Sequence, residues 1–540
     1  MTAIRQFLLA ALNQGGWKRR GLAFFAGIMA ALSQAPFYLL PAMAVGLSLL
    51  ILLVHQAQHD KRPLRAAFSA GWFFGFGYYL LGIYWMAFSF FVQAEQFAWM
   101  APFAMTGMPA FLALFMGAAM VCTRYFTPLA GGLTFTSCYM FFEYLRGHVL
   151  TGLPWNLPAQ ALAGTAAGAQ TVAWVGAYGL SFILVLISVY PGAHIVKHGM
   201  QRMHIAKAAM IYGIGLIVIF AIGGVRLSVL PARDHEDVAV RIVQPNIPQK
   251  EKIDPALWAR NVERSLEQST APTEDGVHTY VLWPENAAPV IDEAPNMMQS
   301  IGTRLPGNST LLTGGVRRQT MPERDGNSEI NNEGTKTRFF NGLAILPING
   351  PATGVSDWYH KHHLVPFGEY LPMRGVLQAI GLAQLAPYED GFTKGEGPVT
   401  FAVGPAPFAP LICYEAIFPG AMYPRSDRPQ WIAAVTNDAW FGDTSGPRQH
   451  LAQTRLRAIE EGLPIARSAN TGISALIDGT GRIRRSIPLY EAGVISARLP
   501  MPEAPTLYSR VRDWPFALMV LFGLGASFAT ARGNLSPLVR

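Results

Sequence analysis

Long runs without charge are the feature of this sequence that most limits its fold. Only 14% of the 540 residues are Asp, Glu, Lys or Arg, whereas soluble domains average about 25%. The shortage is concentrated between Gly21 and Val225. A helix that crosses a bilayer needs about 20 apolar residues, and ~18 suffice when anchoring side chains flank it. This part of the chain is therefore predicted to lie in a membrane.

The uncharged runs predict eight transmembrane helices. The run 21–54 is too long for one span, and Pro36 and Pro41 divide it into two. Further runs follow at 66–91, 97–123, 125–142, 171–190, 208–225 and 514–531. One such run could be a buried helix of a soluble protein, but eight in this order favour a polytopic α-helical membrane domain. We expect seven spans in 1–226, a polar domain at 227–513, and the eighth span with a tail at 514–540.

Basic residues mark alternate connections between these runs, as they do on the cytoplasmic side of membrane proteins. They precede the first span and follow the second, fourth, sixth and eighth: Lys18, Arg19, Arg20, Lys61, Arg62, Arg65, Arg124, Lys197, Arg202, Lys207, Arg532 and Arg540. The opposite connections contain little basic apart from Arg146. Both termini are therefore predicted in the cytoplasm and the polar domain outside. The net charge of +8 follows largely from these loops, and no basic stripe or stacking motif predicts nucleic-acid binding.

The polar domain has the pattern of a single α/β unit. Short β-rich runs are predicted as strands at 238–243, 280–283, 310–313, 340–347, 409–413 and 431–436. Helical spacing of apolar residues predicts a helix at 449–461. Residues 473–477 and 483–487 flank Asp478-Gly479-Thr480-Gly481, which predicts a hairpin. The polar segment 317–338 is expected to be a mobile loop.

Three predicted strand ends carry chemically useful side chains: Glu285, Lys361 and Cys413. A carboxylate held near apolar walls can act as a general base, although a glutamate at such a turn is more often a surface residue. Cys122 and Cys138 lie in apolar runs, so Cys413 is the single thiol of the polar domain. An unpaired thiol facing an oxidising compartment favours a reactive role over an inert buried one. A helix starting after Cys413 and a nearby ammonium would both favour its thiolate.

The lysine lies in the distinctive segment 359–370, between histidines. A solvated strand edge or a zinc site could produce such a cluster, but no cysteine or HExxH element completes a zinc site. Glu369, eight positions after Lys361, offers the lysine a partner. No metal or cofactor is predicted.

Glu, Lys and Cys in this chain order resemble the triad of the nitrilase, or carbon–nitrogen hydrolase, superfamily. The similarity is closer to its membrane branch, the apolipoprotein N-acyltransferases, and covers nearly the whole chain. It rests on WPEN ending at Asn286, YHKHHLVPFGEYLP from Tyr359, ICYE around Cys413, and the segments 151–155, 437–442, 446–450 and 468–472. One departure is that many relatives carry Trp after a Lys at the position where Ile253 follows Lys252.

The resemblance implies an α/β/β/α sandwich on the periplasmic side of a bacterial inner membrane. It implies transfer of an acyl chain from a phospholipid to the N-terminal amine of a diacylglyceryl-cysteine on an apolipoprotein. Glu285 would be the base, Lys361 would stabilise the oxyanion, and Cys413 would carry the acyl group as a thioester. Glu369 would orient Lys361, and the supporting or substrate-binding residues would be Tyr414, Glu415, Asn437, Trp440 and Phe441.

Two other functions fit parts of this pattern. A membrane-anchored amidase or nitrilase would use the same triad but would not need eight spans. A transporter with an outward binding domain should carry buried charges in its spans, and only Glu143 and Arg146 are candidates. The segment 371–388, apolar with few charges, could be a lid, a membrane-facing segment or an ordinary core helix.

Overall fold

The computed structural model describes residues 16–126, 131–322, 335–372 and 391–535. The chain divides into two compact units. The first comprises the chain up to Pro231, Phe441–Gly462, and the chain from Ala504 onward; the second comprises Ala232–Trp440 and Leu463–Glu503. The predicted lid segment lies almost entirely outside the described residues.

The first unit is helical. Its main helices are Trp17–Ala31, Leu40–Gln56, Pro63–Gly82, Ala101–Phe126, Gly132–His148, Val172–His198, Arg202–Val229, Ser445–Glu461 and Trp514–Leu535. Among the described residues, four segments are long and apolar enough to cross a membrane: Leu40–His59, Ala94–Phe126, Val172–His198 and Arg202–Val229. Pro63–Gly82 and Tyr84–Phe91, bent by 47°, make a fifth candidate. A membrane-compatible helical unit is thus confirmed, while the number eight stays a prediction.

A buried ion pair stabilises one helix end of this unit. Arg146 donates to both carboxylate oxygens of Glu143, at 2.9 and 2.7 Å, and Tyr79 donates its hydroxyl to the same carboxylate at 2.7 Å. All three side chains are buried. Charges out of water persist only when they are paired and hydrogen-bonded, so these two residues are satisfied by each other and by Tyr79.

The helix Ser445–Glu461 belongs to this unit through polar contacts. The Gln449 side chain accepts hydrogen bonds from the indoles of Trp85 and Trp155, at 3.0 and 2.7 Å. Within Val172–His198 the backbone is non-helical at Gly176 (φ 70°). The amide of Ala177 donates instead to the carboxylate of Glu460, at 2.7 Å. The break in an apolar helix is therefore compensated by a side chain from another helix.

The second unit contains two sheets. The six-stranded sheet has the order β11-β1-β2-β3-β4-β5 and the five-stranded sheet the order β10-β9-β8-β7-β6. The strands are β1 Asp234–Gln244, β2 His278–Trp283, β3 Ser309–Pro322, β4 Thr335–Pro347, β5 Asp357–His360, β6 Phe408–Ile412, β7 Trp431–Thr436, β8 Ile465–Ala469, β9 Ser474–Ile477, β10 Ile483–Ile487 and β11 Gly493–Pro500. Every strand predicted from the sequence is present, and so is the hairpin β9–β10.

The main core lies between the two sheets. Val240 and Leu282 of the larger sheet and Ile412 and Val435 of the smaller one belong to one buried apolar cluster. A second cluster packs the other face of the larger sheet against the helices Trp258–Ser269 and Pro295–Arg304. The layers α/β/β thus form within this unit, which confirms the α/β fold expected for a carbon–nitrogen hydrolase.

The expectation of a mobile loop at 317–338 is wrong at its ends. Strands β3 and β4 pair antiparallel from Thr310–Pro347 out to Pro322–Thr335, so residues 317–322 and 335–338 belong to a long hairpin. The prediction of a loop rested on polar composition, but paired strands form hydrogen bonds between their backbone N–H and C=O groups whatever the polarity of the side chains. The central part of this segment lies outside the described residues.

Gly314 in β3 permits a close approach of the chain after β2. A Cβ at Gly314 would lie 2.4 Å from the backbone nitrogen of Asn286 and 2.5 Å from the Cα of Glu285. Asn286 itself has a left-handed backbone (φ 52°), which asparagine tolerates better than most residues. The turn that follows β2 therefore packs directly against the backbone of β3 at Gly314.

Gly314→Ala should lower the stability of the second unit by about 1–3 kcal/mol, because overpacking against backbone is not relieved by a side-chain rotation. The measurement is the thermal unfolding midpoint of the full chain in detergent. Gly307→Ala is the matched control, since no atom lies within 4 Å of a Cβ built there. Equal midpoints for the two variants would contradict the close approach.

Candidate active site

The three side chains singled out by the sequence come together at the ends of strands. Glu285 lies just beyond β2, Lys361 directly follows β5, and Cys413 directly follows β6. The Lys361 ammonium lies 3.7 Å from a Glu285 carboxylate oxygen, and both groups interact electrostatically with the Cys413 thiol. A base, a cation and a thiol thus share one small volume.

Lys361 is buried, with 1% of its surface exposed, and it is held by Glu369. Its Nζ donates to Glu369 Oε1 at 2.8 Å. Burial alone would lower the pKa of Lys361, but Glu369, Glu285 and Cys413 outweigh burial and raise that pKa above its usual range. The ammonium is therefore held in its charged form at neutral pH.

Asn341 joins the two carboxylates, and the sequence analysis did not identify it. Its side-chain amide donates to Glu285 Oε1 at 2.8 Å and to Glu369 Oε1 at 2.7 Å. Its backbone carbonyl oxygen accepts the backbone N–H of Lys361 at 2.9 Å. A polar amide inside the apolar run of β4 was the available signal, because buried polar groups require partners.

The Cys413 thiol is protonated in the resting site. Burial raises its pKa to about 12, the Glu285 carboxylate adds to the rise, and Lys361 opposes it. The expected help from a following helix is missing, since Cys413–Ile417 is a single 3₁₀ turn. Cys413 also has a left-handed backbone (φ 51°). A thiol of this kind becomes a nucleophile only if a neighbouring group accepts its proton.

Glu415 holds the backbone around Cys413 in place. Its carboxylate accepts the backbone N–H groups of Ile412 and His362, both at 2.8 Å, and the Tyr359 hydroxyl at 2.8 Å. Burial would raise the pKa of Glu415, but the His362 side chain, the backbone N–H of Ile412 and the charge of Lys361 lower it. The carboxylate thus anchors the backbone around Cys413, and its predicted place in the pocket wall stays a prediction.

The histidines near Lys361 have separate partners. His360 stacks on Phe340 with ring centroids 4.2 Å apart, and His363 stacks on Phe418 at 3.7 Å. His362 contacts Glu415 at 2.8 Å. In the described part of the chain, no group of three His, Cys, Asp or Glu could hold a metal ion.

The remaining predicted residues lie at different places. Tyr414 packs edge-on against Phe418, with centroids 5.1 Å apart, and Asn437 donates to the side chain of Gln249 at 2.9 Å. Trp440 is exposed at the end of the second unit. Phe441 belongs to the first unit, where its ring centroid lies 4.4 Å from that of Trp85. The substrate-binding roles expected of Tyr414, Asn437, Trp440 and Phe441 stay predictions.

A second lysine reaches the site. The Lys252 side chain is buried, and its Nζ donates to the backbone carbonyl of Glu285 at 2.5 Å. A small pocket adjoins it, lined by Pro245, Trp258, Asn261, Pro284 and Asn470 among others. The sequence analysis noted Lys252 only for the residue that follows it. A lysine spaced 33 residues before the glutamate gives no sequence signal of this contact.

The chain matches two known protein families. Residues 26–190 match the family described as apolipoprotein N-acyltransferase N-terminal domain, and residues 239–506 match the carbon–nitrogen hydrolase family. Among solved structures, a carbon–nitrogen hydrolase superfamily protein from Xanthomonas campestris has a TM-score of 0.32 and 17% identity, covering 53% of this chain and 97% of that one. An amidase from Nesterenkonia sp. has a TM-score of 0.33 and 18% identity, covering 52% and 95%.

Relatives of full length are much more similar. An apolipoprotein N-acyltransferase from Rhodopseudomonas palustris is 38% identical over 521 residues, which is 94% of each chain. One from Bradyrhizobium diazoefficiens is 38% identical over 529 residues, or 96% of each chain, and one from Caulobacter vibrioides is 37% identical over 531 residues, also 96% of each. With this identity over nearly its whole length, the chain belongs to the apolipoprotein N-acyltransferase family, the acyltransferases that N-acylate lipoproteins.

Proposed function

We propose that this acyltransferase takes its acyl chain from a membrane phospholipid and passes it, through a thioester on Cys413, to the N-terminal amine of a diacylglyceryl-cysteine. The supporting observation is a protonated thiol beside the Glu285 carboxylate and a buried, charged ammonium. A covalent intermediate lets two bulky lipid substrates use one small site in turn.

In the first half-reaction, Glu285 accepts the Cys413 proton, and the thiolate attacks the ester carbonyl of the phospholipid. The carbonyl oxygen becomes an oxyanion, which Lys361 stabilises as a fixed positive charge. When the intermediate collapses, the C–O bond breaks, and Glu285 returns the proton to the departing lysophospholipid. The thioester remains on Cys413.

In the second half-reaction, the neutral amine of the acceptor attacks the thioester carbonyl. Glu285 takes a proton from the attacking nitrogen, and Lys361 again stabilises the oxyanion. The C–S bond then breaks, the amide is released, and the thiolate regains a proton from Glu285. Glu369 and Asn341 act by position, since they hold the Lys361 ammonium and the Glu285 carboxylate at fixed places.

The proposed setting is a bacterial inner membrane crossed eight times, with the catalytic domain 227–513 in the periplasm. The support is the alternation of basic connections in the sequence and the apolar helices of the first unit. Both substrates are lipids anchored in a membrane, so an enzyme embedded in that membrane meets them at high local concentration.

Variants of the three residues should separate their roles. Cys413→Ala should abolish thioester formation and transfer. Lys361→Met should slow both half-reactions by about a hundred- to a thousandfold, the usual effect of losing one oxyanion donor, with little change in phospholipid binding. Glu285→Gln should stall acylation, but its rate should rise about tenfold per pH unit between about pH 6 and 8, as the thiol ionises without the base. The measurement is the single-turnover rate of thioester formation, followed by intact mass.

Lys394→Met is the matched control, because Lys394 is an exposed lysine of the same unit. The role assignments would be reversed if raising the pH rescued Lys361→Met and left Glu285→Gln unchanged. Fatty acid released in place of a stable thioester, with no amide formed when acceptor is supplied, would favour hydrolysis by an amidase-like enzyme.

Orientation can be tested separately by cysteine labelling. In a variant with Cys122→Ala, Cys138→Ala and Cys413→Ser, Asp275→Cys should react with an impermeant maleimide added outside the inner membrane, because residue 275 is exposed in the second unit. Lys61→Cys, also exposed, should react only after the membrane is opened. The opposite pattern would place the catalytic domain in the cytoplasm.

A further inference from the structure

Lys252 is fixed against the loop that carries the base. It ends the short helix Gln249–Lys252, and its own carbonyl accepts the indole N–H of Trp258 at 3.2 Å. Its ammonium donates to the carbonyl of Glu285 at 2.5 Å. An ammonium has three N–H donors, and the described residues supply an acceptor for one of them. The same ammonium also interacts electrostatically with the Glu285 carboxylate and the Cys413 thiol.

Lys252 brings a second buried ammonium to the charges that act on Glu285 and Cys413. The nearby carboxylates of Glu415 and Asp438 have their own partners, His362 and Arg467. Lys361 and Lys252 carry two positive charges, and Glu369 carries one negative charge. One further negative charge is shared by Glu285 and Cys413, since one proton moves between them. Without Lys252, that shared charge and Glu369 face Lys361 alone. Uncompensated charge in a buried site is strongly disfavoured, so the pair would retain a second proton more readily.

We propose that Lys252 is a further positioning residue of the transfer reaction. Its ammonium holds the Glu285 carbonyl in place and supplies the second positive charge that lets Glu285 and Cys413 share one proton. The inference rests on the proposed role of Cys413 as nucleophile, and it assigns to Lys252 an effect on that nucleophile through Glu285.

The electrostatic surroundings of Lys252 give this role a pH dependence. Burial lowers the pKa of Lys252 to about 8, while Glu285 and Cys413 act in the opposite direction. The neighbouring helix Trp258–Ser269 presents the uncharged side chains of Trp258 and Asn261 to the same pocket, and Glu251 pairs with Arg260 instead. Lys252 therefore loses its charge as the pH rises through about 8, and the support for the shared negative charge is lost with it.

The rate of thioester formation should consequently fall above about pH 8 in the wild-type enzyme. Lys252→Arg keeps its charge to much higher pH and should abolish this fall. Lys252→Met should slow acylation about tenfold at neutral pH and move the acid limb of the profile upward by about one pH unit, as expected when one opposing charge is removed from a titrating pair. The measurement is single-turnover acylation of the full-length enzyme by phosphatidylethanolamine vesicles, without acceptor, between pH 5.5 and about 9.5.

Lys250→Met is the control, because Lys250 belongs to the same short helix but is exposed; it should follow the wild-type profile. The role of Lys252 would be overturned if Lys252→Arg kept the basic limb of the profile at unchanged pH. An unchanged acid limb in Lys252→Met would also overturn it. A merely structural defect would lower the rate at all pH values and leave the shape of the profile unaltered. Failure of the wild-type enzyme to form a thioester would instead refute Cys413 as the nucleophile.

Discussion

The buried ammonium of Lys361 is the group around which the catalytic unit is arranged. A lysine with almost no exposed surface is stable in its charged form only beside carboxylates, and Glu369 and Glu285 supply them at 2.8 and 3.7 Å. Asn341 fixes the distance between these carboxylates by donating to both. The Lys361 charge thereby connects three parts of the larger sheet: the end of β2, the middle of β4 and the end of β5. Displacement of these side chains is disfavoured, because it would leave an unpaired charge in the interior.

This arrangement has a consequence for the thiol. The site that stabilises Lys361 is rich in carboxylates, and together with burial the Glu285 carboxylate keeps the Cys413 thiol protonated. A permanent thiolate would be open to oxidation in an oxidising compartment. In the proposed mechanism the thiolate exists only while Glu285 holds the proton, so nucleophile and general acid are created in the same event. The same proton is then in place for the leaving group.

The sequence predicted β1–β4, β6, β7, β9 and β10, and it placed Glu285, Lys361 and Cys413 at strand ends, because apolar runs ending in a polar side chain mark such ends. It did not predict β5, β8 and β11. It missed Asn341, a single amide inside a strand, and Lys252, because their partners are set by tertiary packing between distant strand ends. Polar composition suggested a loop where β3 and β4 continue, since a long hairpin is held by backbone pairing. The helix at 449–461 was predicted, but Gln449 lies 364 and 294 residues from its partners Trp85 and Trp155 in the sequence. No local pattern encodes such contacts.

The helix Ser445–Glu461 belongs to the first unit but interrupts the sequence of the second. Ser445–Glu461 lies in the chain between β7 and β8, neighbouring parallel strands of the second unit, yet its buried Gln449 and Glu460 side chains are hydrogen-bonded within the first. Gln449 accepts from two indoles, and Glu460 caps the amide exposed where the helix breaks at Gly176. Excising the α/β unit as one segment would carry away a helix whose buried polar groups lose their partners, which disfavours folding. The break at Gly176 would in turn keep an unpaired amide in apolar surroundings. The first unit therefore depends on a helix that the chain supplies between two strands of the second.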